Sequence, residues 1–105
     1  MKPTTKKIAQ LIRQAVNQVD DKAEVILYGS RARGDEREDS DWDLIILTGE
    51  PVNFEREMEF RDPIFDLELE RGEHFQLFFY SKQDWHTKQK ITPLYESVTL
   101  EGIQL

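Results

Sequence analysis

The sequence predicts a small α/β or α+β domain, with residues 1–105 forming one unit. Three observations lead to this fold class. Apolar residues recur at helical spacing over residues 4–19, and short apolar, β-branched runs occupy residues 24–28 and 43–48. An aromatic-rich segment with alternating apolar positions follows at 74–80. Since helical and strand-like segments alternate along the chain, they are expected to form one sheet flanked by helices.

The first predicted helix spans residues 4–19. Its apolar positions fall three or four residues apart, which gives one apolar face. Thr4 or Thr5 is expected to cap its N-terminus, because a side-chain hydroxyl can accept a bond from the free N–H groups there. The apolar set is Ile8, Leu11, Ile12, Ala15, Val16 and Val19.

The next segments predict strand, turn and strand. Residues 24–28 form a buried strand that ends at Gly29, and residues 30–40 form a helical turn followed by a polar loop. Residues 43–48 form a second buried strand, which the turn sequence Gly49-Glu50-Pro51 ends.

The second half begins with a helix predicted from about residue 53 to 71, with Gly72 as its C-terminal stop. Pro63 falls inside it, so we expect a kink or a break there, with Asp62 capping a fresh helix. The strand at 74–80 should place Phe75, Leu77 and Phe79 in the core.

The C-terminal segments are predicted as a helix and a last strand. Ser81 and Asp84 resemble a capping box for a helix over roughly 82–90. Residues 98–105 are predicted to add a short final strand.

Composition excludes several classes of protein. No run of 18 apolar residues and no signal-peptide core is present, so we expect no membrane association and a cytoplasmic location. The chain has no cysteine, which excludes a disulfide framework and a cysteine-based zinc site. A net charge of −7 disfavours nucleic acid as a partner. The same acidity suits a metal ion or a basic protein partner.

A candidate phosphate-binding turn follows the first strand. Gly29 closes the strand, and glycine lets a ligand approach the backbone. Ser30 offers a hydroxyl and an amide at a helix N-terminus, a place that favours phosphate. Arg31 and Arg33 add cationic side chains that pair with phosphate oxygens. Taken alone, the same residues also fit an ordinary turn.

Asp41 and Asp43 are the candidate metal ligands and catalytic residues. Residues two apart on a strand point to the same face, so both carboxylates can converge on Mg²⁺ or Mn²⁺, whereas Trp42 points the other way and is expected to pack. A solvated strand end is the alternative for an isolated pair. Here the pair leads directly into a buried strand and follows the Gly29 turn, which favours a site. The acidic loop at 35–39 is interpreted as a soluble connector, with Asp39 as the one candidate for an extra ligand.

Gly29-Ser30, ten residues, and then Asp41-x-Asp43 resembles the motif of the DNA polymerase β-type nucleotidyltransferase superfamily. The surrounding stretch GSRARGDEREDSDWDLIIL is similar to that of the minimal nucleotidyltransferases, small antitoxin-type domains often paired with helical HEPN-domain proteins. The resemblance implies the nucleotidyltransferase fold, a small mixed β-sheet flanked by helices. It implies that Gly29 and Ser30 hold the triphosphate of ATP or another NTP, and that Asp41 and Asp43 bind divalent metal. It further implies transfer of a nucleoside monophosphate, commonly AMP, to an acceptor that can be the partner toxin.

The chain departs from this family at one position. The family has a third carboxylate on the strand after the long helix, and here Gln76 stands at that place. An amide oxygen can still ligate a metal but cannot accept a proton. His74 shares the strand face of Gln76 and is the first candidate for a substitute base; the other acids considered are Glu73, Asp66, Glu68 and Glu70. His86 is interpreted as a surface histidine.

Three functions remain open from the sequence. The first is an active nucleotidyltransferase that uses Mg²⁺. The second, motivated by Gln76, is a nucleotidyltransferase-like module that neutralises a helical partner by contact, with little or no catalysis. The third is transfer to a small molecule such as an aminoglycoside, for which the chain is short.

Overall fold

A computed structural model describes residues 1–105. No helix in it is both long and apolar enough to cross a membrane. The elements in chain order are α1 (Pro3–Val19), β1 (Glu24–Tyr28), α2 (Ser30–Arg33), β2 (Trp42–Thr48), α3 (Phe54–Arg71), β3 (Phe75–Ser81), α4 (Lys82–His86), α5 (Pro93–Glu101) and β4 (Ile103–Gln104).

The four strands form one mixed sheet in the order β3-β2-β1-β4. Strand β1 is antiparallel to both β2 and β4, whereas β2 and β3 are parallel and are joined by the crossover helix α3. The predicted fold class, a small mixed sheet flanked by helices, is confirmed.

Each face of the sheet is covered by a different set of helices. Alternate residues of β2 point to opposite faces, so Trp42, Leu44 and Ile46 pack against α1 and α3 in the main core. Ile45 and Leu47 point the other way, into a smaller cluster with Trp85 and Val98 of α4 and α5. Asp43 shares this second face, and it lies at the end of β2 that the small cluster leaves uncovered.

Helix α1 begins differently from the prediction. Its N-cap is Lys2, without a side-chain cap bond, and Pro3 occupies the first helical position. The predicted capping role of Thr4 or Thr5 is therefore wrong. Thr5 is buried and donates its hydroxyl to Glu36 Oε1 at 3.0 Å, which ties the start of α1 to the loop after α2.

Helix α3 runs unbroken through Pro63, so the predicted break with a fresh helix at Asp62 is wrong. Asn53 caps it, and Gly72, at a φ of 64°, ends it as predicted. Phe60 and Ile64, on either side of the proline, are both buried in the main core. We attribute the continuity of the helix to this shared burial, which outweighs the one backbone hydrogen bond that proline removes.

The C-terminal region contains one helix that the sequence analysis missed. Ser81 caps α4 as predicted, accepting from the Asp84 N–H at 3.0 Å, but α4 ends at His86 rather than near 90. Helix α5 then occupies Pro93–Glu101, of which residues 98–101 were predicted as strand and the rest had no predicted element, and β4 is limited to Ile103–Gln104. Thr92 as cap followed by Pro93 at the first turn was an available signal for α5.

Candidate phosphate and metal site

The turn between β1 and α2 has the geometry that the sequence indicated. Gly29 has a φ of 82°, a conformation that side-chain-bearing residues rarely adopt. Its carbonyl accepts from the N–H groups of Ala32 and Arg33 at 3.0 and 3.1 Å, which starts the four-residue helix α2. Ser30, half-buried, is the first residue of that helix. Gly34, with a φ of 83°, ends it.

Asp43 lies directly beside this turn. It pairs with Tyr28 across the β1–β2 ladder and with Gln76 across the β2–β3 ladder. A Cβ atom placed on Gly29 would collide with the Asp43 carboxylate. Close approach of backbone and carboxylate therefore requires glycine at position 29, in addition to the positive φ.

Asp41 precedes β2 and is exposed to solvent. The pKa of Asp43 is raised above its ordinary value, first by burial and then by the negative charge of Asp41, with Arg33 acting in the opposite direction. The two carboxylates therefore interact across the same face. A cation between them would relieve their repulsion, as the sequence interpretation of this pair requires.

Gln76 completes the polar cluster. Its side-chain Nε2 donates to Asp41 Oδ2 at 3.1 Å, and its Cα is the register partner of Asp43. No group of three or more His, Asp or Glu side chains converges anywhere in the chain. His74 is exposed and lies one residue before β3, where its carbonyl accepts from the Trp42 N–H at 2.9 Å.

The Arg31 side chain is buried and lies against Trp42. It is only 7% exposed, and its guanidinium carbon lies 4.8 Å from the centre of the Trp42 ring. Its Nη2 donates to the carbonyl of Ser40 at 2.8 Å and to that of Glu38 at 3.3 Å. Arg31 thus holds the end of the loop that delivers Asp41 to the site.

Glu73 also helps to hold the loop before Asp41, although the sequence suggested it only as a substitute for the third carboxylate. Its Oε2 accepts from Trp42 Nε1 at 3.1 Å and lies 3.4 Å from Arg31 Nη2. Arg31, Trp42 and Glu73 therefore form one connected polar cluster beneath the aspartate pair. Position 73 has the strand parity of Phe75 rather than Gln76, which was the signal that it faces Trp42.

Arg33 is the cation that remains near the surface of the turn. Its side chain is 43% exposed and pairs with Asp35 at 3.3 Å and Glu101 at 3.4 Å. The hydrogen bond and charge of Asp35, followed by those of Glu101, raise the pKa of Arg33. Of the two arginines predicted to contact phosphate, Arg33 is exposed and Arg31 is buried.

The other predicted side chains have separate positions. Glu36 is buried, so the acidic loop is anchored rather than a plain soluble connector, whereas Asp39 is exposed. Glu68 Oε1 accepts from the Phe75 N–H at 3.2 Å, which secures the start of β3. The remaining positions are on the surface: Asp66 and Glu70 on α3, and His86, whose Nδ1 lies 3.1 Å from the Tyr95 hydroxyl.

A glycine turn at a helix N-terminus, beside two interacting carboxylates at the end of a mixed sheet, has the donor types that suit phosphate and a divalent cation. The family model of the nucleotidyltransferase domain matches residues 7–104. The chain therefore belongs to the nucleotidyltransferase domain family. A comparison with the sequences of curated proteins gives no match.

Three solved structures have similar folds. A chain of a toxin–antitoxin crystallised with AMP-PNP is 20% identical, with a TM-score of 0.60 over 95% of this chain and 70% of that one. A chain of a mutant MntA-HpeT toxin–antitoxin is 19% identical, with a TM-score of 0.59 and the same coverage. A candidate nucleotidyltransferase from Sulfolobus solfataricus is 18% identical, with a TM-score of 0.53 over 95% of this chain and 80% of that one. At these identities the similarity extends to the fold.

Proposed function

We propose that this protein is a divalent-metal-dependent nucleotidyltransferase that transfers a nucleoside monophosphate, AMP from ATP as the first choice, to a side chain of a partner protein. One observation carries the proposal: the Asp43 carboxylate lies against Gly29, at the turn that begins α2. Fold relatives from toxin–antitoxin complexes, one crystallised with the ATP analogue AMP-PNP, support a nucleotide and a protein partner.

The nucleotide would lie over the Gly29 turn. Gly29 and the N–H groups at the start of α2 would bind the triphosphate, with the Ser30 hydroxyl as a further donor. Arg33 would add a cation at the rim. Arg31, assigned from the sequence as a phosphate ligand, becomes instead a residue that positions Asp41, because Ser40, Glu38 and Glu73 already accept from its Nη2.

The donor set fits a hard divalent cation such as Mg²⁺ or Mn²⁺. Asp41 and Asp43 supply charged oxygens. Burial first, and then the charge of Asp41, raises the pKa of Asp43, and a bound cation would relieve the repulsion between the two carboxylates. Rotation of the Gln76 amide would exchange its N–H donor for its oxygen as a neutral third ligand. When bound, such a metal neutralises phosphate charge and makes an attacking hydroxyl more acidic.

The reaction would form a bond between the acceptor oxygen and the α-phosphorus and break the bond to the β-phosphate, releasing pyrophosphate. The acceptor proton has to leave the hydroxyl as this happens. Gln76 cannot take it, since an amide is not a base at neutral pH. The proton therefore passes to one of the two aspartates or to water, and we expect slower turnover than with a third carboxylate.

Gln76 also supports a second candidate function, a module that neutralises a helical, HEPN-type partner by contact with little catalysis. The observation that favours it is the neutral amide in register with Asp43, where an active site would gain from a base. This candidate predicts that binding of the partner survives Asp41→Asn combined with Asp43→Asn.

Incubation with each labelled NTP, Mg²⁺ or Mn²⁺ and the product of the neighbouring reading frame distinguishes the two candidates. The proposal expects metal-dependent labelling of that protein, lost in Asp41→Asn and Asp43→Asn and kept in the matched control Asp39→Asn. Equal labelling by wild type and the three variants would reject transfer by Asp41 and Asp43. Absence of labelling while the partner is still neutralised would also reject it.

A further inference from the structure

Helix α3 carries a second apolar face that is largely exposed to solvent. At 3.6 residues per turn, these side chains fall within about 60° of the helix circumference, away from the buried Phe60 and Ile64. Phe54 is 73% exposed, Phe65 56% and Leu69 69%, and Met58 is half-buried. This set, called here the α3 outer stripe, consists of Phe54, Met58, Phe65 and Leu69.

The stripe differs from apolar residues scattered singly over a protein surface. Two phenylalanines, a methionine and a leucine run along almost the full length of α3, the longest helix of the chain. A helix with apolar residues on two sides is typical of one packed on both sides. Large apolar side chains exposed along one side of a helix are typical of a docking site for another molecule.

One side of the stripe is bordered by carboxylates. These residues are exposed, and none forms an ion pair within the chain. They are called here the acidic rim: Glu55, Asp62, Asp66 and Glu70. On the other side of the stripe, Arg61 is paired with Glu57 at 2.6 Å.

We propose that the α3 outer stripe docks into an apolar groove of a partner protein, and that lysine or arginine side chains of the partner border that groove. An apolar ridge on a helix fits a hydrophobic groove, and the unpaired carboxylates of the rim select basic residues around it.

A second copy of this chain does not meet that requirement. A two-fold interface places the same patch of both copies together, so antiparallel α3 helices would bring acidic rim against acidic rim. The net charge of −7 adds to this repulsion. The occupant is therefore a different, basic-rimmed protein.

This inference rests on the proposed function only in assuming that a partner protein exists. Leu69 lies near the end of α3 that leads through Gly72 to Gln76, the residue bonded to Asp41. A partner bound to the stripe would thus contact α3, the helix that leads directly into β3, the strand that contains Gln76.

Photo-crosslinking in the native host tests the surface. A benzoylphenylalanine at position 65 should capture a protein that the same group at position 91 does not, although Ile91 is 92% exposed. The captured protein is then identified, purified and titrated against variants. Phe65→Ser with Leu69→Ser should weaken its binding at least about tenfold, equal to 1.4 kcal/mol. The matched control, Ile91→Ser with Leu100→Ser, should leave binding unchanged.

Charge is tested with Asp62→Asn combined with Asp66→Asn, which should weaken binding and reduce its salt dependence. Capture of this chain itself, equal weakening by the control pair, or unchanged binding of the amide variant would overturn the proposal. The stripe variant also separates this inference from the proposed function. Undiminished nucleotide transfer to the partner by that variant would reject the surface alone. Absent transfer by a wild type that binds through the stripe would reject only the nucleotidyltransferase function.

Discussion

The Gln76 side chain donates to Asp41 Oδ2 at 3.1 Å, and its Cα pairs with Asp43 across the parallel ladder. An amide thus satisfies one aspartate at the place where a carboxylate would repel both. The neutral amide adds no charge to the cluster, so any cation has two charged ligands rather than three.

Gln76→Glu should increase the affinity for Mn²⁺ by about tenfold or more, because a third carboxylate adds roughly 1.4 kcal/mol or more of favourable interaction with the ion. In metal-free buffer the same variant should be less stable than wild type, since three carboxylates then repel. Titration calorimetry and urea unfolding measure the two effects. Gln76→Ala, which removes the amide without adding charge, is the control, and equal Mn²⁺ affinity in all three proteins would contradict the prediction.

Gly29→Ala should impair the site far more than Gly34→Ala. Both glycines have a positive φ, 82° and 83°, but their ψ values differ, −157° at Gly29 and 11° at Gly34. Alanine at Gly34 costs about 1 kcal/mol in backbone strain, whereas the backbone at Gly29 lies in a region that only glycine adopts readily. Only at Gly29 would the new methyl group meet the Asp43 carboxylate, whereas nothing lies within 4 Å at Gly34. We expect Gly34→Ala to keep Mn²⁺ and nucleotide binding and Gly29→Ala to lose both, measured by calorimetry on folded protein. Loss in both variants to the same degree would contradict this prediction.

Arg31→Lys should destabilise the fold by about 2–4 kcal/mol, because an ammonium cannot stack on Trp42 and reach the acceptors of the guanidinium together. The change also removes the guanidinium partner of the Glu73 carboxylate, whose side chain is 18% exposed. Urea unfolding followed by tryptophan fluorescence measures the loss. Arg33→Lys, at the exposed arginine two residues on, should leave the unfolding midpoint unchanged, and a similar shift in both variants would remove the distinction between them.

Glu36 should make stability depend on pH below neutrality. Hydrogen bonding by its own backbone N–H, then the Thr5 hydroxyl and the charges of Lys2 and Arg31, lowers the pKa of Glu36 below its ordinary value, although burial opposes this. Because the folded pKa lies below the unfolded one, the stabilisation is present at neutral pH and is lost as pH falls through the folded value. Glu36→Gln should cost about 1 kcal/mol at neutral pH, with the difference from wild type shrinking under acid. Exposed Glu38→Gln is the control, and a difference that stays constant with pH would contradict this assignment.

The parts of the fold that sequence predicted well are those set by local pattern. Strand β1 and the aspartate pair follow from β-branched runs and two-residue periodicity, and Gly72 ends α3 because only a residue tolerant of positive φ fits there. The other parts of the fold depend on packing in the core, which local sequence patterns do not show. Helix α3 passes Pro63 because Phe60 and Ile64 share one core, which no local rule around a proline reveals.

The candidate site shows the same division. Spacing predicted that the glycine turn and the two carboxylates lie together, but it did not predict the direction of the Arg31 side chain. Its neighbours, Trp42 and Glu73, are separated from it by 11 and 42 residues along the sequence and meet it only when β2 and β3 pair. An arginine at such a turn can either bind phosphate or hold neighbouring chain segments in place. Only the position of Glu73, the acid paired with Arg31, distinguishes the two roles.

Calorimetric titration of ATP in Mg²⁺ buffer, with wild type, Asp43→Asn and Asp39→Asn side by side, tests most directly whether the Gly29 turn and the aspartate pair form one metal–nucleotide site. We expect one ATP bound per wild-type chain and loss of that binding when the metal is chelated. Asp43→Asn should bind ATP at least about tenfold more weakly, and Asp39→Asn should bind it as wild type does. Binding that is absent in wild type, or equal in wild type and Asp43→Asn, would contradict it.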